Sequence, residues 1–151
     1  MRNATKPSNT KIRRARSSDS ARLAILCTEL GYPATASEMR ARLSRLKPAA
    51  DNAVFVAETL DRDVIGWLHA SVSHLLEVPL RAEINGLVVG EGQRSKGAGA
   101  QLLNAVEDWA RKKKCLSMSV RSNLIRERAH AFYERHGYEH YKTQKAFRKP
   151  L

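Results

Sequence analysis

Residues 82–113 read AEINGLVVGEGQRSKGAGAQLLNAVEDWARKK, and their three parts decide the fold class. Ala82–Val89 is a β-rich run that follows Pro79. Residues 90–100, GEGQRSKGAGA, form a turn dense in glycine. From Gly97 onward Leu102, Leu103, Val106, Trp109 and Ala110 recur at helical spacing, and lysines 112–114 suit the negative end of that helix's dipole. A further β-rich run, Ser117–Arg121, follows. Strand, helix, strand in this order implies a parallel pair joined by a right-handed crossover. Glycines ahead of a helix N-terminus let a phosphate approach free backbone N–H groups without meeting a Cβ, so the chemistry is expected there.

Upstream, the same reading gives two helices and a hairpin. Lys11–Arg16 reads as a short edge strand, after which Ser17 or Ser18 can cap a helix carrying Leu23, Leu26, Cys27 and Leu30, stopped by Gly31. Thr35 and Glu38 make a capping box for a second helix with Met39, Leu43 and Leu46, and Pro48 lies just past it. Val54–Glu58 and Val64–His74, separated by Asp61, Arg62 and Asp63, predict an antiparallel hairpin. Downstream, Arg126–His136 reads as a helix with Ala129, Phe132, Tyr133 and His136 on one stripe, ended by Gly137. A last strand or two is expected around Tyr138–Tyr141 and Lys145–Arg148. The fold class is α/β (α+β): a mixed, mostly antiparallel twisted sheet with about four flanking helices and a central parallel strand pair. Residues 1–10 are expected to be a disordered basic tail, and 11–151 a single domain.

The chain has 151 residues, enough to bury roughly 70 % of the surface of its unfolded form without staples. Its two cysteines, Cys27 and Cys115, show no metal-ligand or redox spacing and read as reduced core thiols, so no metal is expected. No apolar run approaches the ~18 residues of a membrane span, and a cytoplasmic location is the expectation. The net charge of +12 attracts phosphate-rich partners. Nucleic acid is disfavoured among them, because the basic residues are spread along the chain and only 6 % of residues are aromatic.

Three phosphate-binding patterns compete for the glycine turn. The P-loop needs GK followed by Ser or Thr, whereas Lys96 precedes Gly97. A dinucleotide fold needs a third glycine and an acidic residue ending the next strand, whereas Leu102 follows Gly99 at that spacing and the strand ends in Arg121. The remaining pattern, RxxGxG, is met by Arg94, Gly97 and Gly99 and resembles the pyrophosphate loop of GNAT acetyltransferases. Residues 122–138, SNLIRERAHAFYERHGY, strengthen the likeness. They are similar to the family's SNxxRxxAHxFYxxxGY signature at Ser122, Asn123, Arg126, Ala129, His130, Phe132, Tyr133, Gly137 and Tyr138. The resemblance covers residues 12–148, including the LGYP segment at 30–33.

This resemblance implies an N-acetyltransferase that moves an acetyl group from acetyl-CoA to a primary amine of a small molecule by direct attack in a ternary complex. It places the thioester beside the backbone of Leu87, Val88 and Val89, and the diphosphate on Arg94, Ser95, Lys96, Gly97, Ala98, Gly99 and Ala100. Asn123 would bond the pantetheine arm, with Arg126 and Phe132 also on the cofactor side. Tyr133 would protonate the departing thiolate, since a phenol of pKa about 10 can serve a thiol of pKa about 8.5. Glu83 is the carboxylate expected to draw the amine's proton through water, with Glu29 and Tyr32 on the acceptor side. His130 reads as a packing residue. A homodimer is expected for the family. Two other readings compete: a protein N-terminal or lysine acetyltransferase, and a non-catalytic basic module that binds nucleic acid.

Overall fold

In a computed structural model, described for residues 9–46, 50–94 and 96–151, the chain forms two compact units, one through Arg121 and the other from Ser122. The expected tail lies outside the described residues up to position 8, but Thr10 does not belong to it: β1 is Thr10–Arg14, and Thr10 pairs with Thr59. Pairing with a neighbour, not side-chain composition, sets where this strand begins. A single turn of 3₁₀ helix, Ser17–Asp19, leads into α1, Ser20–Leu30. The serines at 17 and 18 are therefore not the cap. Asp19 Oδ2 instead accepts the Arg16 amide at 2.7 Å, because Arg13 holds that carboxylate in place.

Gly31 ends α1 with φ +105°, its N–H on Thr28 O and that of Tyr32 on Cys27 O. The capping box forms as expected: Thr35 Oγ1 accepts the Glu38 amide at 3.1 Å and Glu38 Oε2 accepts the Thr35 amide at 3.3 Å, opening α2, Ala36–Leu46. β2 (Asn52–Thr59), β3 (Val64–Ser73) and β4 (Arg81–Val89) follow as an antiparallel series. Then come α3, Ala98–Lys112, and β5, Ser117–Val120, which is parallel to β4. The sheet order is β1-β2-β3-β4-β5.

The two faces of this sheet are covered differently. On one, Val56 and Val88 pack with Leu23 and Leu26 of α1 and Leu43 of α2, with Trp67 of β3 partly buried against them. On the other, α3 buries Leu102, Leu103, Val106, Trp109 and Ala110, the stripe read from its period. Each wholly buried leucine contributes about 1.5–3 kcal/mol. Cys27 is buried and Cys115 half-buried, both are free thiols, and burial pushes both pKa values up. No helix among the described residues is long and apolar enough to cross a membrane.

A buried ion cluster anchors β1 to the unit. Arg13 donates from both terminal nitrogens to Asp19 at 2.9 Å and from Nε to Glu58 at 2.7 Å, with side chains only 12 %, 8 % and 17 % exposed. Arg13→Met would strand two carboxylates in the interior, and a loss of about 3–5 kcal/mol is expected in denaturant melts. The same cluster gives an acid-sensitive step. Burial alone would raise the Asp19 pKa, but the Arg13 hydrogen bonds and the Arg16 amide outweigh it and hold the carboxyl below its ordinary range. A lowered folded-state pKa stabilises above the unfolded value, about 3.9, and that stability is lost as pH falls through the folded value. Asp19→Asn should therefore flatten the wild-type decline in Tm below pH 4; an unaltered decline would exclude Asp19 as its source.

The second unit contains α4, Glu127–Arg135, followed by Gly137 at φ +87°. The predicted stripe of Ala129, Phe132, Tyr133 and His136 is half-buried. The strands expected at 138–141 and 145–148 do not form. Strand-prone residues need a buried face and a paired neighbour to hold a register. Here Tyr141, Phe147 and Leu151 are exposed, and His140 Nε2 bonds locally to Lys142 O and Thr143 Oγ1, both at 3.0 Å.

Candidate active site

The feature that singles out β4 is where its second partner stops. β5 pairs with it only from Arg81 to Ile84, whereas β3 continues alongside as far as Val89. The backbone of Gly86–Val89 is thus bonded on the β3 side and lacks a β5 partner on the other. Leu87, Val88 and Val89, the residues expected to lie along a thioester, occupy this half of the strand. The sequence could name them, but the parting of β4 and β5 is a property of the register.

The glycine turn continues directly from that half-strand. The Gly90 amide donates to Ile65 O at 2.8 Å and the Gln93 amide to Gly90 O at 3.0 Å. Arg94 Nε donates to Val89 O at 3.3 Å, which leaves its guanidinium at the exit of the strand, and exposed Lys96 reaches Gln93 Oε1 at 3.5 Å. Gly97 is the N-cap of α3 with φ +88°, a left-handed conformation that side chains resist. No side chain caps the helix, and no acidic residue lies in its first turn. The N–H groups of Ala98, Gly99 and Ala100 therefore open a helix whose positive dipole end carries no carboxylate. Ser95 lies outside the described residues.

Two residues that the sequence reading did not select shape this region. Arg22, on α1, donates from Nε to Val64 O at 2.8 Å and lies beside Gly90, adding a cation at the foot of the turn. Trp67 lies against Gly86 so closely that a Cβ there would be 2.8–2.9 Å from its ring. Gly86→Ala should thus cost about 1–3 kcal/mol by displacing the indole. A thermal melt with tryptophan emission checks this, and an unshifted Tm would rule the contact out. A spacing rule could have marked neither residue, since Arg22 acts through the packing of α1 on β3 and Trp67 through the pairing of β3 with β4.

Glu29 does not stand alone: its Oε2 accepts the Glu91 amide at 3.2 Å and joins the end of α1 to the glycine turn. Tyr32 is 64 % exposed. Glu83 is half-buried and ion-paired with the exposed Arg121 at 2.8 Å.

Within the second unit the signature residues organise one another. Asn123 Oδ1 accepts the Ile125 amide at 3.2 Å, and its carbonyl accepts the Arg126 amide at 3.0 Å and meets His130 Nε2 at 2.9 Å. His130 thus fastens the turn to α4, more specific than the packing role expected of it. Phe132 sits edge-on to Tyr133 at 5.3 Å, and Tyr133 packs against Tyr138 at 5.7 Å. Burial pushes the Tyr133 phenol up to about 12, against a smaller opposing effect of Arg126. It stays protonated at neutral pH. Among the described residues no cluster of His, Cys, Asp or Glu could hold a metal.

Residues 22–138 match the model of the acetyltransferase (GNAT) family. The chain belongs to the GNAT acetyltransferases. It is similar in structure to aminoglycoside 6'-N-acetyltransferase AAC(6')-Ih from Acinetobacter baumannii, with a TM-score of 0.81 at 21 % identity over 94 % of this chain and 99 % of that one. AAC(6')-Iy, captured in complex with the bisubstrate analogue CoA-S-monomethyl-acetylneamine, gives 0.83 at 21 % over 95 % and 100 %. Glucosamine-6-phosphate N-acetyltransferase from Arabidopsis thaliana gives 0.80 at 18 % over 92 % and 97 %. No protein of curated function matches the sequence. At these identities the three structures establish the GNAT fold, and the α/β architecture read from residues 82–121 is that of the family.

Proposed function

We propose that this chain transfers the acetyl group of acetyl-CoA to a primary amine of a small molecule, by direct attack in a ternary complex. The observation that carries the reading is the continuity of three features: the β4 half-strand that β5 leaves, the glycine turn, and the uncapped α3 N-terminus at Gly97. A diphosphate bound at Ala98–Ala100, with Arg94 and Lys96 beside it, would aim a pantetheine arm along Leu87–Val89. A backbone amide of that strand then polarises the thioester carbonyl and stabilises the oxyanion. Tyr133, protonated at neutral pH, supplies a proton to the departing thiolate. Asn123, Arg126 and Phe132 serve the cofactor side through the motif they share.

A thiol-release assay with acetyl-CoA and a panel of tyramine, spermidine, glycinamide, an aminoglycoside and an unblocked peptide tests this. Turnover with a small amine and none with the peptide is expected. Turnover with the peptide alone would move the acceptor to protein, and no turnover with any amine would sink acetyl transfer.

A further inference from the structure

A row of polar side chains crosses the sheet on the face that carries α1 and α2, and the roles assigned so far leave most of it unused. Trp67 fixes the face, since it packs into the α1–α2 core. Strand alternation then puts His69 and Ser71 on the same side. Register adds their neighbours: His69 lies opposite Gly86, and Ser71 opposite both Asn52 and Glu83. Asn85 is the extra residue of a β-bulge, because Ile84 pairs with Ala70 and Gly86 with His69. It comes directly after Ile84, the last residue of β4 bonded to β5, and therefore stands where the two strands part. Bulges re-aim side chains in this way.

Hydrogen bonds orient the row. Asn85 is exposed and its Nδ2 donates to Ser71 Oγ at 2.9 Å, which turns Oδ1 outward as an acceptor. His69 is half-buried, and its Nε2 meets Asn52 Oδ1 at 2.9 Å. A carboxamide oxygen can only accept, so Nε2 carries the proton and Nδ1 holds the lone pair. Burial also holds the His69 pKa below its ordinary value. The charged groups on the elements around β3 are engaged with other partners: Glu83 with Arg121, Asp51 with His74, Glu38 with Arg42, and Glu29 with the Glu91 amide. His69 is thus a neutral base at pH 7, while the carboxylate first expected in that role is held by an arginine.

We infer that this row receives the acceptor: Asn85 Oδ1 accepts an N–H of the incoming ammonium, and His69 Nδ1 takes its proton by way of water alongside Ser71. The inference rests on the acetyltransfer reading above. One N–H bond of the ammonium breaks and its proton forms an imidazolium. The freed lone pair attacks the thioester, the C–S bond breaks, and Tyr133 protonates the thiolate. The second proton lost by nitrogen restores Tyr133 through solvent, and the imidazolium returns its own to solvent. One proton is released for each amide formed. The acceptor class is a primary amine held by a neutral amide rather than by a carboxylate.

Kinetics and nitrogen NMR test this on the full chain, using whichever of tyramine, spermidine or glycinamide turns over fastest. His69→Gln should lower kcat about 10²-fold and remove the acidic limb of its pH profile. Asn85→Ala should raise KM with kcat largely kept. Asn52→Ala, which frees the tautomer while keeping the imidazole, should lower kcat less than His69→Gln and leave the limb in place. In wild-type protein saturated with CoA, the imidazole of His69 should show a protonated Nε2 and a bare Nδ1, and adding the amine should shift Nδ1. A protonated Nδ1, an acidic limb that survives His69→Gln, or a limb lost with Glu83→Gln instead would overturn the inference while wild-type turnover upholds acetyl transfer. No wild-type turnover would take down both.

Discussion

Gly97→Glu abolishes the rise in Tm that acetyl-CoA gives the wild-type protein. A ligand that binds only the folded state at 100 times its Kd adds about 2.7 kcal/mol to stability, so the wild-type rise is several degrees and readily measured. Gly97 is the N-cap of an α3 that no side chain caps, and its φ is +88°. A carboxylate there sets a fixed negative charge beside the amides of Ala98, Gly99 and Ala100, where the diphosphate is proposed to lie. Electrostatic repulsion and lost donors act in the same direction. The left-handed backbone adds about 1–2 kcal/mol of strain for any side chain, which lowers the ligand-free Tm without bearing on the ligand shift. Gly92→Ala separates the two effects. It has φ +80° and open space around a new Cβ, so it pays the strain and keeps a ligand-induced rise. A full rise in Gly97→Glu would remove this turn from the cofactor site.

Tyr133→Phe lowers kcat by 10²–10⁴ while the Kd of acetyl-CoA, measured by calorimetry, stays within twofold. Such a loss is what removing a positioned general acid costs, about 2.7–5.5 kcal/mol of barrier at 1.36 kcal/mol per decade. Binding survives because phenylalanine keeps the ring that packs against Phe132 and Tyr138. The pH dependence follows from the sign of the shift. A phenol raised to about 12 keeps its proton below that value, so Tyr133 should impose no fall in turnover between pH 7 and 10. Wild-type turnover in Tyr133→Phe would refute the proton-donor role, and a basic limb near pH 10 that vanishes in the variant would refute the burial argument.

The comparison of Glu83 with His69 shows where sequence reading reaches its end. Glu83 was legible because it is the one carboxylate on the strand before the glycine turn, and a motif argument looks along a single strand. Arg121, its ion-pair partner, lies 38 positions away and meets it only because β5 pairs with β4. His69 carries no motif and sits in an unremarkable alternating strand. Its fixed tautomer depends on Asn52 of the neighbouring strand, and its lowered pKa on burial. The C-terminal strands failed for a related reason: residues 138–148 have strand-like composition, yet composition does not provide the paired neighbour that a strand requires.

What residue order alone determined is local and periodic. The stripe of α3, the stop at Gly31, the capping box at Thr35 and Glu38, the glycine turn and the 122–138 signature all rest on contacts within a few positions, where steric and hydrogen-bonding rules act directly. Tertiary structure decided what depends on register. β5 leaves β4 at Ile84, and a bulge turns Asn85 outward at that point. A one-residue slip along β4 would exchange every one of those neighbours while leaving the local pattern of the strand intact.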